Sequence, residues 1–381
     1  MEERKHAILS PSASKMWLEC PPSVRLSQDI PDRESIFAEE GTEAHELCEY
    51  MLKRMLGLDA EDPRGHLQYY TREMEDCAIE YASYVHGIYL DELEANRNPI
   101  VMVEQRLDIS DFVPECFGTA DSVIISRGRL YVVDFKFGMG VKVESEGNTQ
   151  MRIYALGALE TFSSLCEVED VVMTIFQPRI GNVSTSSMKA DDLYRWADEY
   201  LKPRAALAFA GEGEQNSGPW CRFCRVKASC RKRAEENISL ACLEFRKPEL
   251  LSDDEIGEVL SRSEELVAWA NDVKGYTIQR LLGGYSIPGF KLVEGRSVRR
   301  YTDETAAAEA VKTAGYDPYE HKVLGISAMT SLLGKKQFSE ILGAFIVKPH
   351  GKPTVVPESD SRPGISADEL NDFNEFKEIN E

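Results

Sequence analysis

The sequence lacks any long apolar run. No segment approaches the roughly 18 consecutive apolar residues that a membrane helix requires, and the opening stretch MEERKHAILS contains no apolar segment of signal-peptide length. The composition is also not that of a disordered or fibrous chain, since 43% of the 381 residues are hydrophobic and 29% are charged. We therefore expect a soluble, cytoplasmic protein with a packed core and no membrane partner.

The sequence also lacks an excess of positive charge. Lys and Arg number 44 against 65 Asp and Glu, a formal net charge of −21, which argues against binding nucleic acid through overall charge but leaves a local basic channel open. The nine cysteines are an odd number in a chain without an export signal. They are therefore expected to be thiols or metal ligands rather than a disulfide framework.

Periodic patterns predict an α/β fold. Helical spacing covers residues 39–58 and 71–97 in the first hundred residues. Strand and helix patterns then alternate: a strand at 99–107, two strands around a turn within 117–137, a helix at 148–162, a strand at 168–177 and a helix at 190–210. This alternation is typical of a central sheet flanked by helices.

The C-terminal third carries weaker patterns. Residues 252–282 predict one long helix that begins with Ser-Asp-Asp-Glu, and residues 289–301 are compatible with a hairpin. The last residues are acidic and poor in large apolar side chains, which favours loose order. We divide the chain into a core at 1–245, a smaller C-terminal helical and hairpin region at 246–358, and an acidic tail at 359–381.

Two carboxylates and an ammonium are predicted to meet in the sheet. Asp134 and Lys136 are two apart in a β-branched run, so the strand period places both on one face, and Asp121 on the preceding strand can reach that face. Oxygen ligands beside a cation suit a divalent metal and phosphodiester hydrolysis. The alternative is a half-exposed salt bridge, but the Val132-Val133 pair indicates a buried strand, where unpaired charges are expensive.

Two helical segments carry further candidates. Gln150 and Tyr154 are four apart and share a helix face, where they could hold a phosphate or form an ordinary polar pair. His45 closes the segment Gly-Thr-Glu-Ala-His at 41–45. A lone helical histidine is more often a satisfied core or surface residue than a ligand.

Taken together, four motifs occur in one order: Gly-x-x-x-His at 41–45, Gly-x-x-Asp at 118–121, Asp-x-Lys at 134–136 and Gln-x-x-x-Tyr at 150–154. With these motifs the chain resembles the RecB-like branch of the PD-(D/E)XK nucleases, with Asp134 where the family name allows Asp or Glu. The resemblance implies an α/β, restriction-endonuclease-like core with a mixed central sheet and flanking helices, plus a smaller C-terminal region.

The resemblance also implies roles for the residues. Asp121 and Asp134 would ligand Mg²⁺ or Mn²⁺, with the Phe135 carbonyl and His45 as further ligands. Lys136 would orient the nucleophile and stabilise the transition state, while Gln150 and Tyr154 would lie beside the active site and contact nucleic acid. Glu104, on the strand before this group, is a weaker candidate for which a solvent-facing position is the favoured interpretation.

The cysteines form a second signal. Cys221, Cys224 and Cys230 are close in sequence and lack only a fourth ligand, which Cys20 could supply; isolated surface or core thiols are the alternative. This arrangement resembles the RecB-like subgroup of AddB-type and CRISPR-adaptation nucleases, in which one cysteine precedes the nuclease core and three follow it. The resemblance implies a 4Fe-4S cluster, with Zn²⁺ as the alternative occupant.

Basic residues surround these cysteines. The densest positive stretch of the chain includes Arg222, Arg225, Lys227 and Arg231, followed by Lys232 and Arg233. These cations could hold a phosphate backbone, or they could form a solvated helix face that offsets the charge of a cluster.

We therefore expect a metal-dependent DNA exonuclease of phage or bacterial recombination, repair or replication, acting on DNA with free ends. The resemblance leaves the partner open: it could be a single-strand-binding or annealing protein, a helicase or a second copy of the chain. The alternative function is a non-catalytic DNA-end-binding or assembly subunit with an iron–sulfur or zinc staple. A zinc-stapled interaction protein with an incidental Asp-x-Lys strand is a further alternative.

Overall fold

The structure, a computed structural model, describes residues 7–30, 36–162, 166–239, 252–294, 301–319 and 323–346, together with residues 356, 360 and 363. It divides into two compact units, residues 1–280 and 281–381. The boundary that the sequence suggests near residue 245 is a different one, and the domain division stays a prediction.

Five strands form a single sheet. Their bounds are β1 Ile100–Asp108, β2 Phe117–Ser126, β3 Gly128–Phe135, β4 Val168–Gln177 and β5 Asn182–Lys189. The spatial order is β1-β2-β3-β4-β5, with β3 and β4 parallel and the other neighbours antiparallel. The expected mixed sheet is therefore confirmed. The sequence analysis missed β5, whose Asn-Val-Ser-Thr-Ser-Ser-Met-Lys run has few large apolar residues and lies at the edge of the sheet.

The helices that begin before residue 281 are α1 Ser14–Glu19, α2 Ser23–Ser27, α3 Ile36–Met55, α4 Arg72–Glu94, α5 Thr149–Phe162, α6 Ala190–Trp196, α7 Lys202–Ala210, α8 Arg231–Ser239 and α9 Asp253–Leu282. Of these, α3 and α4 pack on one face of the sheet, and α1, α5, α6 and α7 pack on the other. A π-helical turn at Ala197–Leu201 joins α6 to α7. The α/β class with flanking helices is thus confirmed for the described residues.

Alternation along β3 explains the two cores. Leu130 and Val132 belong to a cluster with residues of α1, α5, α6 and α7, whereas Val133 and Phe135 belong to a cluster with residues of α3 and α4. Successive strand side chains point to opposite faces, so one strand with apolar residues at nearly every position can be buried on both sides. The central strand therefore has a helical layer on either side.

The long helix α9 is joined to α8 by a buried arginine. Arg233 of α8 is 1% exposed, and its guanidinium donates to Glu265 at 2.6 Å and to Asp272 at 2.7 Å. Lys227 pairs with the same Asp272 at 3.0 Å. Burial of a charged side chain requires such partners, so the suggestion that Arg233 faces a phosphate backbone is wrong.

The start of α9 agrees with its sequence pattern. The Ser252 N–H donates to the Glu255 carboxylate at 2.9 Å, and the Glu255 N–H donates to Ser252 Oγ at 3.3 Å. This reciprocal pair is the capping box that a Ser-x-x-Glu sequence predicts. The long helix expected over 252–282 is confirmed.

In the second unit the described helices are α10 Glu304–Thr313 and α11 Ile326–Leu342. The expected hairpin at 289–301 falls partly outside the described residues, and within them only Ile287 and Phe290 form an isolated bridge. The expected acidic tail at 359–381 lies almost entirely outside the described residues. No helix in the described part of the chain combines the length and apolarity needed to cross a membrane.

The packing of α5 makes a testable prediction. A Cβ added at Gly157 would lie 2.8 Å from Ile109 Cγ1 and 3.1 Å from Leu107 Cβ, so Gly157→Ala should lower the free energy of unfolding by about 1–3 kcal/mol through overpacking. Gly87 in α4 is the matched control, since no atom lies within 4 Å of its added Cβ, and Gly87→Ala should stabilise by about 0.5–1 kcal/mol. Urea titrations of both variants give the comparison, and equal changes would contradict the packing argument.

Candidate metal centre

The predicted catalytic residues converge at one end of the β2–β3 pair. Asp121 lies on β2, Asp134 near the end of β3, and Lys136 one residue beyond that strand. His45 is presented by α3 and Gln150 by the first turn of α5. Because α3 and α5 cover opposite faces of the sheet, only the strand ends bring both helices to the same group of carboxylates.

Asp121 is held by three positive or donating groups. Its Oδ1 lies 3.2 Å from His45 Nδ1, and its Oδ2 accepts a hydrogen bond from the Phe135 N–H at 2.6 Å. Burial raises the pKa of Asp121, but His45, Lys136 and the Phe135 N–H outweigh burial and lower it. Asp121 is therefore an anion.

Asp134 is the most deeply buried acid of the site. It is 2% exposed, its Oδ1 accepts from Gln150 Nε2 at 3.1 Å, and its Oδ2 lies 2.9 Å from Lys136 Nζ. The Oδ2 atom nevertheless accepts no hydrogen bond of normal geometry. Burial, and then the charge of Asp121, raise the pKa of Asp134 despite Lys136. One carboxylate oxygen is thus buried and incompletely satisfied.

Lys136 is charged in this environment. Burial lowers the pKa of its ammonium, but the carboxylates of Asp134 and Asp121 reverse that effect and raise it. The short distance to Asp134 agrees with the strand-period argument that placed the two side chains on one face.

Glu104 joins this group, which corrects the favoured interpretation that it faces solvent. One ligand atom from each of His45, Glu104 and Asp121 lies within 4.8 Å of the other two. Glu104 adopts a left-handed backbone, φ 50°, between the paired residues Val103 and Gln105 of β1. Burial and the charge of Asp121 raise the pKa of Glu104 to about 8. A strained backbone at a cluster of acids is typical of functional sites.

The charge balance of the site favours a cation. Burial lowers the pKa of His45, yet the carboxylates of Asp121 and Asp134 prevail and raise it to about 9. Three acids surround one lysine and one histidine, so a positive charge on His45 is strongly favoured. The same field would favour a divalent metal in place of that proton, and imidazole and carboxylate are both suitable ligands.

The packing of Tyr154 explains why the Gly-x-x-Asp motif has glycine at position 118. A Cβ added at Gly118 would lie 2.8 Å from Tyr154 Cε1 and 3.0 Å from Pro11 Cγ, so the close packing of this tyrosine requires glycine. Tyr154 is 7% exposed, and burial followed by the charge of Asp134 raises the pKa of its hydroxyl. Gly41 has no such neighbour within 4 Å of an added Cβ.

The four cysteines of the second signal line one pocket. Cys20 caps the end of α1, and Cys230 precedes α8. Cys221 lies within a 3₁₀ turn at Pro219–Phe223, and Cys224 directly follows that turn. Backbone N–H groups point at the sulfurs: Gly218 donates to Cys221 Sγ at 3.4 Å, and Asn216 donates to Cys20. Burial raises the pKa of Cys221 to about 11 and also raises those of Cys20 and Cys224.

The thiols do not form a tight single-ion site. In the part of the chain that the structure describes, His45, Glu104 and Asp121 are the one group of three ligand residues whose donor atoms lie within 4.8 Å of one another. No three of the four cysteines meet that spacing.

The basic residues around the cysteines divide into two sets. Lys227 is paired with Asp272 and donates to the Arg222 carbonyl, and Arg233 is buried. Arg222, Arg225 and Arg231 are exposed, and Arg225 also donates to the Ile30 carbonyl at 3.0 Å. The exposed set remains a candidate nucleic-acid surface.

A family model matches most of the chain. The model described as "Protein of unknown function (DUF2800)" covers residues 6–363. The chain belongs to the DUF2800 family. A solved structure titled "Crystal structure of SSO0001" is similar at 16% identity over 49% of this chain and 95% of that one, with a TM-score of 0.20. That score is too low for the likeness to inform fold or function.

The position of Glu104 leads to a second prediction, which concerns metal binding. Glu104→Gln should weaken Mn²⁺ binding by about tenfold or more, because it removes one of three closely spaced ligand groups and the negative charge that Glu104 would carry as a ligand. The electron paramagnetic resonance signal of free Mn²⁺ reports binding without any reaction. Glu46→Gln is the matched control, since Glu46 is adjacent to His45 on α3 but pairs with His66 at 3.1 Å. Unchanged affinity in Glu104→Gln would exclude this residue as a ligand.

Proposed function

We propose that this protein is a metal-dependent DNA exonuclease built on a PD-(D/E)XK core of the RecB-like branch. The observation that supports this best is the buried Asp134 carboxylate between Lys136 and Gln150, beside the close group of His45, Glu104 and Asp121. Buried charges with strongly shifted pKa values cluster at functional sites. If Asp134 and Lys136 formed only a structural salt bridge, the nearby acids Glu104 and Asp121 and the histidine His45 would not be needed.

The residues at this site fit a divalent ion. His45, Glu104 and Asp121 offer closely spaced donor atoms, and Asp134 Oδ2 is a buried acceptor without a normal hydrogen bond. These residues, with the Phe135 carbonyl, would hold Mg²⁺ or Mn²⁺. When bound, the ion supplies Lewis acidity beside the scissile phosphate.

The chain's own groups contribute the remaining parts of the chemistry. The Lys136 ammonium, held at 2.9 Å from Asp134, places positive charge where a phosphate develops negative charge and can orient an attacking water. Gln150 fixes the Asp134 carboxylate through its amide N–H. Tyr154, packed against Gly118, presents a neutral hydroxyl whose proton is retained at neutral pH, so it can donate to a phosphate oxygen.

DNA with free ends is the proposed substrate, and the exposed Arg222, Arg225 and Arg231 are the proposed backbone contacts. On a chain of net charge −21, such a local patch is needed to hold a polyanion. A non-catalytic DNA-end-binding or assembly subunit is the alternative. The retained Asp121, Asp134 and Lys136 favour the nuclease, because a purely binding protein has no use for buried, mutually perturbing charges.

Activity on DNA ends tests this proposal. Protein purified anaerobically and supplied with Mg²⁺ or Mn²⁺ should degrade end-labelled linear DNA and spare covalently closed circles. Lys136→Ala should lower the rate by about 100- to 1,000-fold, the range for losing one preorganised electrostatic stabiliser, while circular dichroism stays unchanged.

Lys142→Ala is the matched control for that experiment. Lys142 lies six residues further along, is 63% exposed and pairs with Glu144 at 2.6 Å, so its loss should leave the rate unchanged. Binding of DNA ends without any cleavage by the wild-type protein would favour the assembly-subunit alternative. If Lys136→Ala still cleaves DNA at the wild-type rate, the assignment of this group as the active site is wrong.

We also propose that Cys20, Cys221, Cys224 and Cys230 hold a 4Fe-4S cluster. The four residues line one pocket, and backbone N–H groups that point at sulfur favour thiolates. A single tetrahedral Zn²⁺ with Zn–S bonds of about 2.3 Å would place the sulfurs roughly 3.8 Å apart, whereas no three of these four sulfurs lie within 4.8 Å of one another. In a cubane each cysteine binds a different iron, so a wider spacing is required.

Metal content tests the cluster. Anaerobically purified protein should be brown and contain iron and acid-labile sulfide, and Cys20→Ser should lose most of both because it removes one of four ligands. Cys166→Ser is the control, since Cys166 donates to the Ser126 carbonyl at 3.4 Å and does not line the cysteine pocket. A colourless protein that contains zinc instead would contradict the cluster.

A further inference from the structure

Two buried serines of α2 have hydroxyls that make no hydrogen bond of normal geometry. Ser23 is 2% exposed and Ser27 is 7% exposed, and neither Oγ atom makes a hydrogen bond of normal geometry with any described residue. Buried hydroxyls in native proteins are almost always hydrogen-bonded. Two such atoms on one short helix therefore need an explanation.

Other helical hydroxyls of this chain show the usual solution. Ser83 Oγ donates to the Ile79 carbonyl at 2.7 Å, and Thr161 Oγ1 donates to the Gly157 carbonyl at 2.7 Å. This donation to the carbonyl four residues earlier is the common fate of a serine or threonine within a helix. Ser23 and Ser27 do not adopt it, so their donors are available to another acceptor.

Both serines are directed at the cysteine pocket. They are four residues apart and share one face of α2. Ser23 lines the same pocket as all four cysteines. The Ser27 hydroxyl lies beside the Cys224 sulfur, close enough to favour the thiolate but outside normal hydrogen-bond geometry. The other lining residues include the apolar Met16, Leu26 and Val226 and the polar Gln215, Asn216 and Lys227. Two of these polar side chains donate elsewhere, Asn216 to the Glu19 carbonyl and Lys227 to the Arg222 carbonyl.

We propose that Ser23 and Ser27 donate hydrogen bonds to sulfur atoms of the cluster and thereby raise its reduction potential. The inference rests on the proposed 4Fe-4S cluster. Reduction adds negative charge to the cluster, and donors to sulfur stabilise that charge, so the potential rises with each hydrogen bond. The same donors explain why two hydroxyls without a hydrogen bond of normal geometry are buried at this place.

The serines are separable from the other donors of the site. The N–H groups that point at Cys20 belong to the backbone of Asn216 and of Ser23 itself, and the one that points at Cys221 belongs to Gly218. These backbone donors persist in any side-chain variant. Removing the hydroxyls therefore changes the number of hydrogen bonds to sulfur without removing a cysteine. A role in packing alone would depend on side-chain volume and not on the donor.

The test is the midpoint reduction potential of the anaerobic, cluster-loaded full-length protein, followed by optical and electron paramagnetic resonance titration. The variants are Ser23→Ala, Ser27→Ala and the double substitution. We expect the double variant to lower the equilibrium constant for one-electron reduction about tenfold, which corresponds to a potential lower by about 59 mV, and each single variant to give part of that shift. Ser83→Ala, which removes an exposed helical hydroxyl, should keep the wild-type potential.

A conservative variant and the metal content distinguish a hydrogen-bonding role of the serines from a packing role and from the absence of a cluster. Ser27→Thr retains the hydroxyl and should retain the potential. A loaded double variant with the wild-type potential would overturn the inference while leaving the cluster in place. Equal loss of iron from Ser27→Thr and Ser27→Ala would also overturn it, because the role would then be packing. Wild-type protein that contains zinc and no iron would overturn the cluster proposal itself and this inference with it.

Discussion

The ion pair between the buried Asp134 and the partly exposed Lys136 is the constraint on which the candidate centre depends. A carboxylate that is 2% exposed can remain in the fold only if charges and donors are brought to it. Lys136, from the same chain segment, provides a positive charge, and Gln150, from α5, donates a hydrogen bond. The position of α5 against the sheet is therefore tied to the charge at the end of β3, and its fit requires glycine at 157, where any side chain would meet Ile109.

Around this pair lie several features that would each destabilise the fold in isolation. Three acids lie close together, burial raises the pKa of Glu104 to about 8, and the backbone of that residue is left-handed. Such an arrangement persists because the layers on both sides hold it: α3 and α4 pack on one face of the sheet, and α1, α5, α6 and α7 on the other. A rigid support that keeps like charges together is what a cation site requires.

The N-terminal segment connects the cysteine pocket to the acidic centre. Cys20 ends α1, the buried Trp17 of the same helix packs in the core that includes α5, and Ser14 Oγ lies 2.6 Å from Thr149 Oγ1 at the start of α5. Thr149 is adjacent to Gln150, and Pro11 lies beside Gly118 and Tyr154. A group that fixes α1 and α2 against the segment after α7 would therefore also stabilise the helix that presents Gln150 and Tyr154.

The sequence by itself determined the order of most elements, the strand period that pairs Asp134 with Lys136, and the candidates His45, Asp121, Gln150 and Tyr154, because these depend on local periodicity and on motifs within a few residues. Only the tertiary structure decided the rest. Glu104 turns toward Asp121 through a local left-handed backbone that breaks strand alternation. Arg233 is paired with acids more than thirty residues away, and Ser23 and Ser27 lie beside cysteines about two hundred residues distant in sequence. Such contacts join segments that are remote in sequence, and no local pattern carries that information.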